Sequence, residues 1–140
     1  MKVSSLERTL TEIDHVRLMR LMARAKADPR LPPLLEELDE LLSCSDLVEP
    51  ARVPPDVVTM YSRVLLADTV GAAPGKFTVC YPEDAEPAQG FVSVLSPLGT
   101  SLLGLRVGNV AHWRGPHGDL QSARVGAMLF QPEASGDYTL

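Results

Sequence analysis

The chain has 140 residues, 45% of them hydrophobic and 22% charged, and a net charge of −5. This composition fits one folded domain, or a small domain with an appendage, and excludes a disordered chain. The acidic balance argues against simple binding to duplex phosphate, which needs a cationic footprint, and no apolar run approaches the roughly 18 residues of a membrane span.

Residues 3–10, "VSSLERTL", fit either a short strand or an extended arm. Thr11 then reads as a helix N-cap, with Asp14 three residues on, as in a capping box. Ile13, Leu18, Leu21, Met22 and Ala25 recur at helical spacing and predict a core stripe, while Arg17, Arg20, Arg24 and Lys26 lie largely elsewhere. Pro29 disfavours a helical Asp28, so the helix ends there. A second helix is predicted near Pro32 and Pro33, since proline suits a first turn. Its stripe is Leu34, Leu35, Leu38, Leu41 and Leu42, and its opposite face is Glu36, Glu37, Asp39 and Glu40. A short connection between a basic and an acidic helix predicts antiparallel packing. Residues 1–45 thus read as a helical hairpin, a short coiled coil, and the proline-rich stretch 46–55 as a non-helical linker.

Residues 56–140 read as a β-sheet domain. Strands are expected over 56–68, 76–82, 91–96, 109–115 and 119–132, with "GPHG" turning the last pair. One short helix follows the third strand. Ser96 is its N-cap and Pro97 its first residue, and Leu98, Leu102 and Leu105 share a face with Leu103 close by. Gly99 and Gly104 lower helix propensity but allow close approach to the sheet. The fold class is α+β: a short N-terminal antiparallel helical hairpin, then an antiparallel sheet with one helix.

Chemistry-bearing patterns are scarce. Cys44 and Cys80 lack CxxC spacing, and His15, His112 and His117 have no carboxylate or thiol at metal-ligand spacing. Neither a phosphate loop nor a dinucleotide fingerprint is present. No catalytic, cofactor-binding or metal-binding residue is predicted, and the chain reads as a non-enzyme. The charged start "MKVSSLERTLTEID" lacks the apolar middle of a secretory signal, so the cytoplasm is the expected location.

Three segments carry a resemblance. "SVLSPLGTSLLGLRVGNVAHW" is similar to the signature of the Gre transcription-factor superfamily. "PPDVVTMYSRV" and "FQPEASGDYTL" resemble the Rnk branch of that superfamily, bacterial regulators of nucleoside diphosphate kinase. Tyr61 stands where asparagine is usual and Asn109 where aspartate is usual, and Leu95 precedes Ser96, where a polar or acidic residue would make the stronger contact. The resemblance implies that residues 56–140 form an FKBP-like domain. It also implies RNA polymerase as a protein partner, bound near its secondary channel, with Ser96 and Pro97 in the contact. Gre factors present acidic residues at the hairpin tip to hold a magnesium ion. Here the tip is "RAKADPRLPP", where Asp28 stands alone between Lys26 and Arg30. One carboxylate between cations is a poor magnesium ligand set. The expectation is a non-catalytic regulator that competes with Gre-like factors, does not stimulate transcript cleavage, and affects kinase levels indirectly. No cofactor, membrane or specific DNA contact is expected, and the oligomeric state is left open. The alternatives are a self-associating interaction module and, by fold analogy alone, a prolyl isomerase.

Overall fold

The computed structural model describes residues 7–27 and 32–137. Its elements in chain order are β1 (Thr9–Thr11), α1 (Glu12–Ala25), α2 (Pro32–Cys44), β2 (Asp46–Val48), β3 (Arg63–Val70), β4 (Gly75–Cys80), β5 (Phe91–Ser93), α3 (Pro97–Leu102), β6 (Val110–Arg114) and β7 (Leu120–Phe130). The class is α+β. A five-stranded sheet runs β5-β4-β3-β7-β6, and β1 and β2 form a separate two-stranded ribbon.

Thr11 caps α1 as its sequence indicates: its Oγ1 accepts from the Asp14 N–H at 3.0 Å. The core face is Leu18, Leu21, Met22 and Ala25. Ile13, expected in that stripe, is turned outward, and Asp14 is buried in its place. The helix presents Asp14 inward because its carboxylate accepts the Met60 N–H at 3.1 Å. Leu38, Leu41 and Leu42 of α2 join the same core. The start of α1 lies beside the end of α2, where His15 Nε2 meets the Leu42 carbonyl at 3.1 Å. Of the expected tip, Lys26 caps the C-terminal end of α1 and is exposed, while Asp28 and Arg30 lie outside the described residues.

Residues 46–55 were expected to be a non-helical linker. They contain β2, which pairs in parallel with β1, and a 3₁₀ turn over Pro50–Arg52. A proline opens that turn because its fixed φ suits the first helical position. The ambiguous N-terminal arm is β1 where described, and Thr9 N–H also donates to Gly104 O at 3.1 Å.

All five expected strands are present, with altered ends. The first begins at Arg63 rather than residue 56. Val57, Val58, Thr59 and Met60 are buried in a turn-rich segment instead. Tyr61, at φ 65°, breaks extended pairing there. The asparagine usual in the resembling motif tolerates this left-handed conformation more readily than tyrosine does. The third strand stops at Ser93, whose carbonyl accepts from Ser96 N–H in a tight turn. The sheet is not wholly antiparallel: β4 and β5 pair in parallel, Thr78 opposite Phe91. Residues 81–90 cross back through two 3₁₀ turns to make that possible. Register shifts along β3 and β7, with Asp68 at φ 51°, bend the sheet into a curl.

One buried cluster unites Leu10, α1, α2, Met60, the sheet's inner face and Leu102, Leu103 and Leu105. The helical pair and the sheet therefore share a core. The "FQPEASGDYTL" segment folds back where it is described. Gln131 Nε2 donates to the carbonyls of Pro54 and Val57, each at 2.8 Å, and Glu133 accepts from Thr59 Oγ1 at 2.7 Å. Tyr138 and Leu140 lie outside the described residues.

Candidate protein-binding groove

The segment from Ser93 to Ser101 is built by its own hydroxyl groups. Ser96 Oγ accepts from Gly99 N–H at 3.1 Å and donates to Ser93 O at 2.6 Å. Thr100 Oγ1 donates to Val94 O at 2.6 Å, and Ser101 Oγ to Leu98 O at 2.7 Å. These bonds fix the sharp entry into α3, and Pro97 follows at its first position. A Cβ at Gly99 would sit 2.0 Å from Ser93 O, so glycine lets the helix press onto β5. Gly104 serves differently from expectation. It lies past the helix at φ 82°, and Leu103 and Leu105 are buried from the irregular chain after α3 rather than from a helical face.

The far end of α3 is held by a residue that periodicity did not single out. Arg8 is 7% exposed and donates through one nitrogen to Ser101 O and Leu103 O at 2.8 and 2.9 Å. Burial lowers its pKa to about 10. The arrangement suits a helix C-terminus, whose carbonyls lack partners of their own.

Pro97 and Leu98 border an apolar groove of about 470 Å³. Pro87, Val92, Trp113 and Pro116 also line it. The indole Nε1–H donates to Gln121 Oε1 at 2.6 Å, so Trp113 offers the groove an apolar ring with its polar edge satisfied. Three prolines from three separate segments meet here, which no local pattern reveals. The groove offers apolar surface to a protein segment; the hydroxyls around it are committed to backbone. Phe91 and Phe130 line a different cleft with Tyr61, Arg63 and Thr78.

A second feature joins α1 to the sheet. Arg17 lies over the Tyr81 ring at 4.9 Å, and Tyr81 packs on Tyr61 with centroids 5.9 Å apart. Burial, with Asp14 nearby, pushes the Tyr81 pKa up to about 12. Asp14 itself is pushed up to about 7, chiefly by burial. Among the described residues, no three His, Cys, Asp or Glu side chains are grouped to hold a metal ion, and no helix is long and apolar enough to cross a membrane.

A curled sheet carrying a clasped Ser-Pro helix, with a helical pair docked on its core, defines the class of bacterial transcription-elongation-factor domains. The family model for the transcription elongation factor GreA/GreB C-terminal domain matches residues 53–125, and the chain belongs to that family. It is 37% identical over 108 residues to the regulator of nucleoside diphosphate kinase from Escherichia coli K12, covering 77% of this chain and 79% of that one. It is 28% identical over 100 residues to the transcription elongation factor GreA of Solidesulfovibrio magneticus, 71% of this chain and 61% of that one. A GreA/GreB structure from Nitrosomonas europaea superposes with a TM-score of 0.72 at 28% identity, covering 89% of this chain and all of that one.

Proposed function

We propose that this chain is a non-catalytic regulator that binds RNA polymerase in the region of its secondary channel and competes there with Gre-like factors. The observation that carries the reading is the groove beside Ser96 and Pro97, where the family signature meets an apolar surface sized for a protein segment. Ser96 acts by shaping the turn; Pro97 and Leu98 make the contact. In this reading residues 56–140 act as an FKBP-like docking domain and residues 1–45 as a short helical finger, with 46–55 joining them. The tip, with Asp28 between Lys26 and Arg30, supplies too little negative charge to recruit magnesium, so transcript cleavage is not stimulated. Similarity to a regulator of nucleoside diphosphate kinase supports an indirect effect on kinase levels by a cytoplasmic protein.

The test is binding of the purified chain to core polymerase, with a GreA protein as competitor. Binding that GreA displaces is expected. Leu98→Glu and Pro97→Ala should each weaken it by about tenfold, the order of one hot-spot contact. Absence of binding, or binding indifferent to GreA, would sink the reading. A cleavage assay on backtracked complexes should show no stimulation; strong stimulation lost in Asp28→Ala would refute the non-catalytic part.

A further inference from the structure

The outward face of α1 is apolar along its first half: Ile13, Val16 and Met19 are 39%, 49% and 47% exposed. Arg20 and Arg24 are exposed on the same helix, and Lys26 follows at its end. On α2, Glu36, Glu37 and Asp39 are exposed and Glu40 is half-buried. Among the described residues, ion pairs join Glu49 to Arg52, Asp56 to Arg106 and Asp68 to Arg124. None involves the seven charges just named. Glu83 shares a cleft with Arg20 and Arg24, yet among the described residues a basic and an acidic helix face stand on one chain with no ion pair to either.

We propose that the chain pairs with a second copy of itself through these faces, α1 of each copy against α2 of the other, around the exposed row Ile13, Val16 and Met19. The occupant is a second copy because the complementary surface is carried by this same chain. A two-fold axis then uses both faces twice, so one set of residues supplies both halves of the interface. Setting α1 against α1 would bring arginines together, so charge also fixes the pairing. The apolar row supplies a water-excluded centre, and the charges form its rim. The proposal stands apart from the polymerase reading and survives its failure.

Sedimentation equilibrium of the full chain, from micromolar to near-millimolar concentration, tests it. A reversible dimer is expected, weakened about tenfold or more between low and high salt because rim charges are screened. The double variant Val16→Ser/Met19→Ser should weaken it about tenfold. Arg20→Glu/Arg24→Glu and Glu36→Lys/Glu37→Lys should each be monomeric alone and form a heterodimer when mixed. That restoration also shows that both variants fold. A chain monomeric throughout at low salt, a dimer that neither charge reversal disturbs, or folded reversal variants that fail to pair on mixing would each overturn the proposal.

Discussion

Burial of Asp14 ties the junction between α1 and the sheet to pH. Its carboxyl, about 4 when unfolded, titrates at about 7 in the folded chain. Below about pH 4 it is protonated in both states. Between about 4 and 7 the folded chain holds the proton and the unfolded chain does not, so its stabilising contribution falls as pH rises and is gone above about 7. Asp14→Asn keeps an acceptor for Met60 N–H without the buried charge. It should flatten the stability–pH profile and raise stability near pH 8 by on the order of 2–4 kcal/mol. Thermal unfolding of both forms between pH 5 and 8 checks this; parallel profiles would refute it. The sequence showed Asp14 near a capping box but not its burial, because helical spacing alone does not say which neighbour waits beyond the stripe.

Gly99 poses a steric question at the same scale. Alanine there would place a methyl group against the backbone of Ser93, which cannot move without shifting β5. Gly99→Ala should therefore destabilise the fold by about 2 kcal/mol or more, within the range for overpacked sites. A chemical-denaturation midpoint unchanged from the native chain would contradict the close approach. This position was legible in advance, since a glycine inside a capped helical pattern implies either a cost or a close neighbour.

At the level of elements, α3 depends on both ends of the chain order. Its start is encoded locally by Ser96 and Pro97, and these were read correctly as cap and first residue. Its end is held by Arg8, 93 residues from Ser101. Replacing Arg8 with alanine removes the donor from the Ser101 and Leu103 carbonyls. The expected loss is about 1–3 kcal/mol, the range for leaving buried acceptors unpaired. The loss should appear in equilibrium unfolding and should also loosen β1, whose Thr9 N–H bonds Gly104 O. Faster amide exchange at Thr9 in Arg8→Ala would report it. Strand β3 shows the opposite outcome. β-Branched residues from Val57 onward suggested an earlier start, but Tyr61 in a left-handed conformation and the partners offered by Leu105 and Val79 turned that segment into a buried knot of turns.

At the scale of the molecule, helices and sheet share one cluster of buried side chains. A shared core predicts one cooperative transition. Calorimetry and far-ultraviolet circular dichroism should give the same midpoint; separate melting of residues 1–45 would show an independent finger. On the proposed reading, the finger and the docking domain then fold as one unit. The groove belongs to this scale too, because Pro87, Pro97 and Pro116 come from segments far apart in sequence that the fold brings together.

The sequence by itself determined the three helices and the order of the five main strands, the caps of α1 and α3, and the Ser-Pro signature, since each rests on groups a few residues apart. Helix caps, proline positions and periodic apolar faces are local devices, and they act whatever the rest of the chain does. Only the tertiary structure decided that Asp14 is buried, that Arg8 closes α3, that residues 56–62 are not strand, and that Trp113 and three prolines form a groove. Each of these depends on which distant backbone group or side chain arrives opposite, and long-range packing sets that partner.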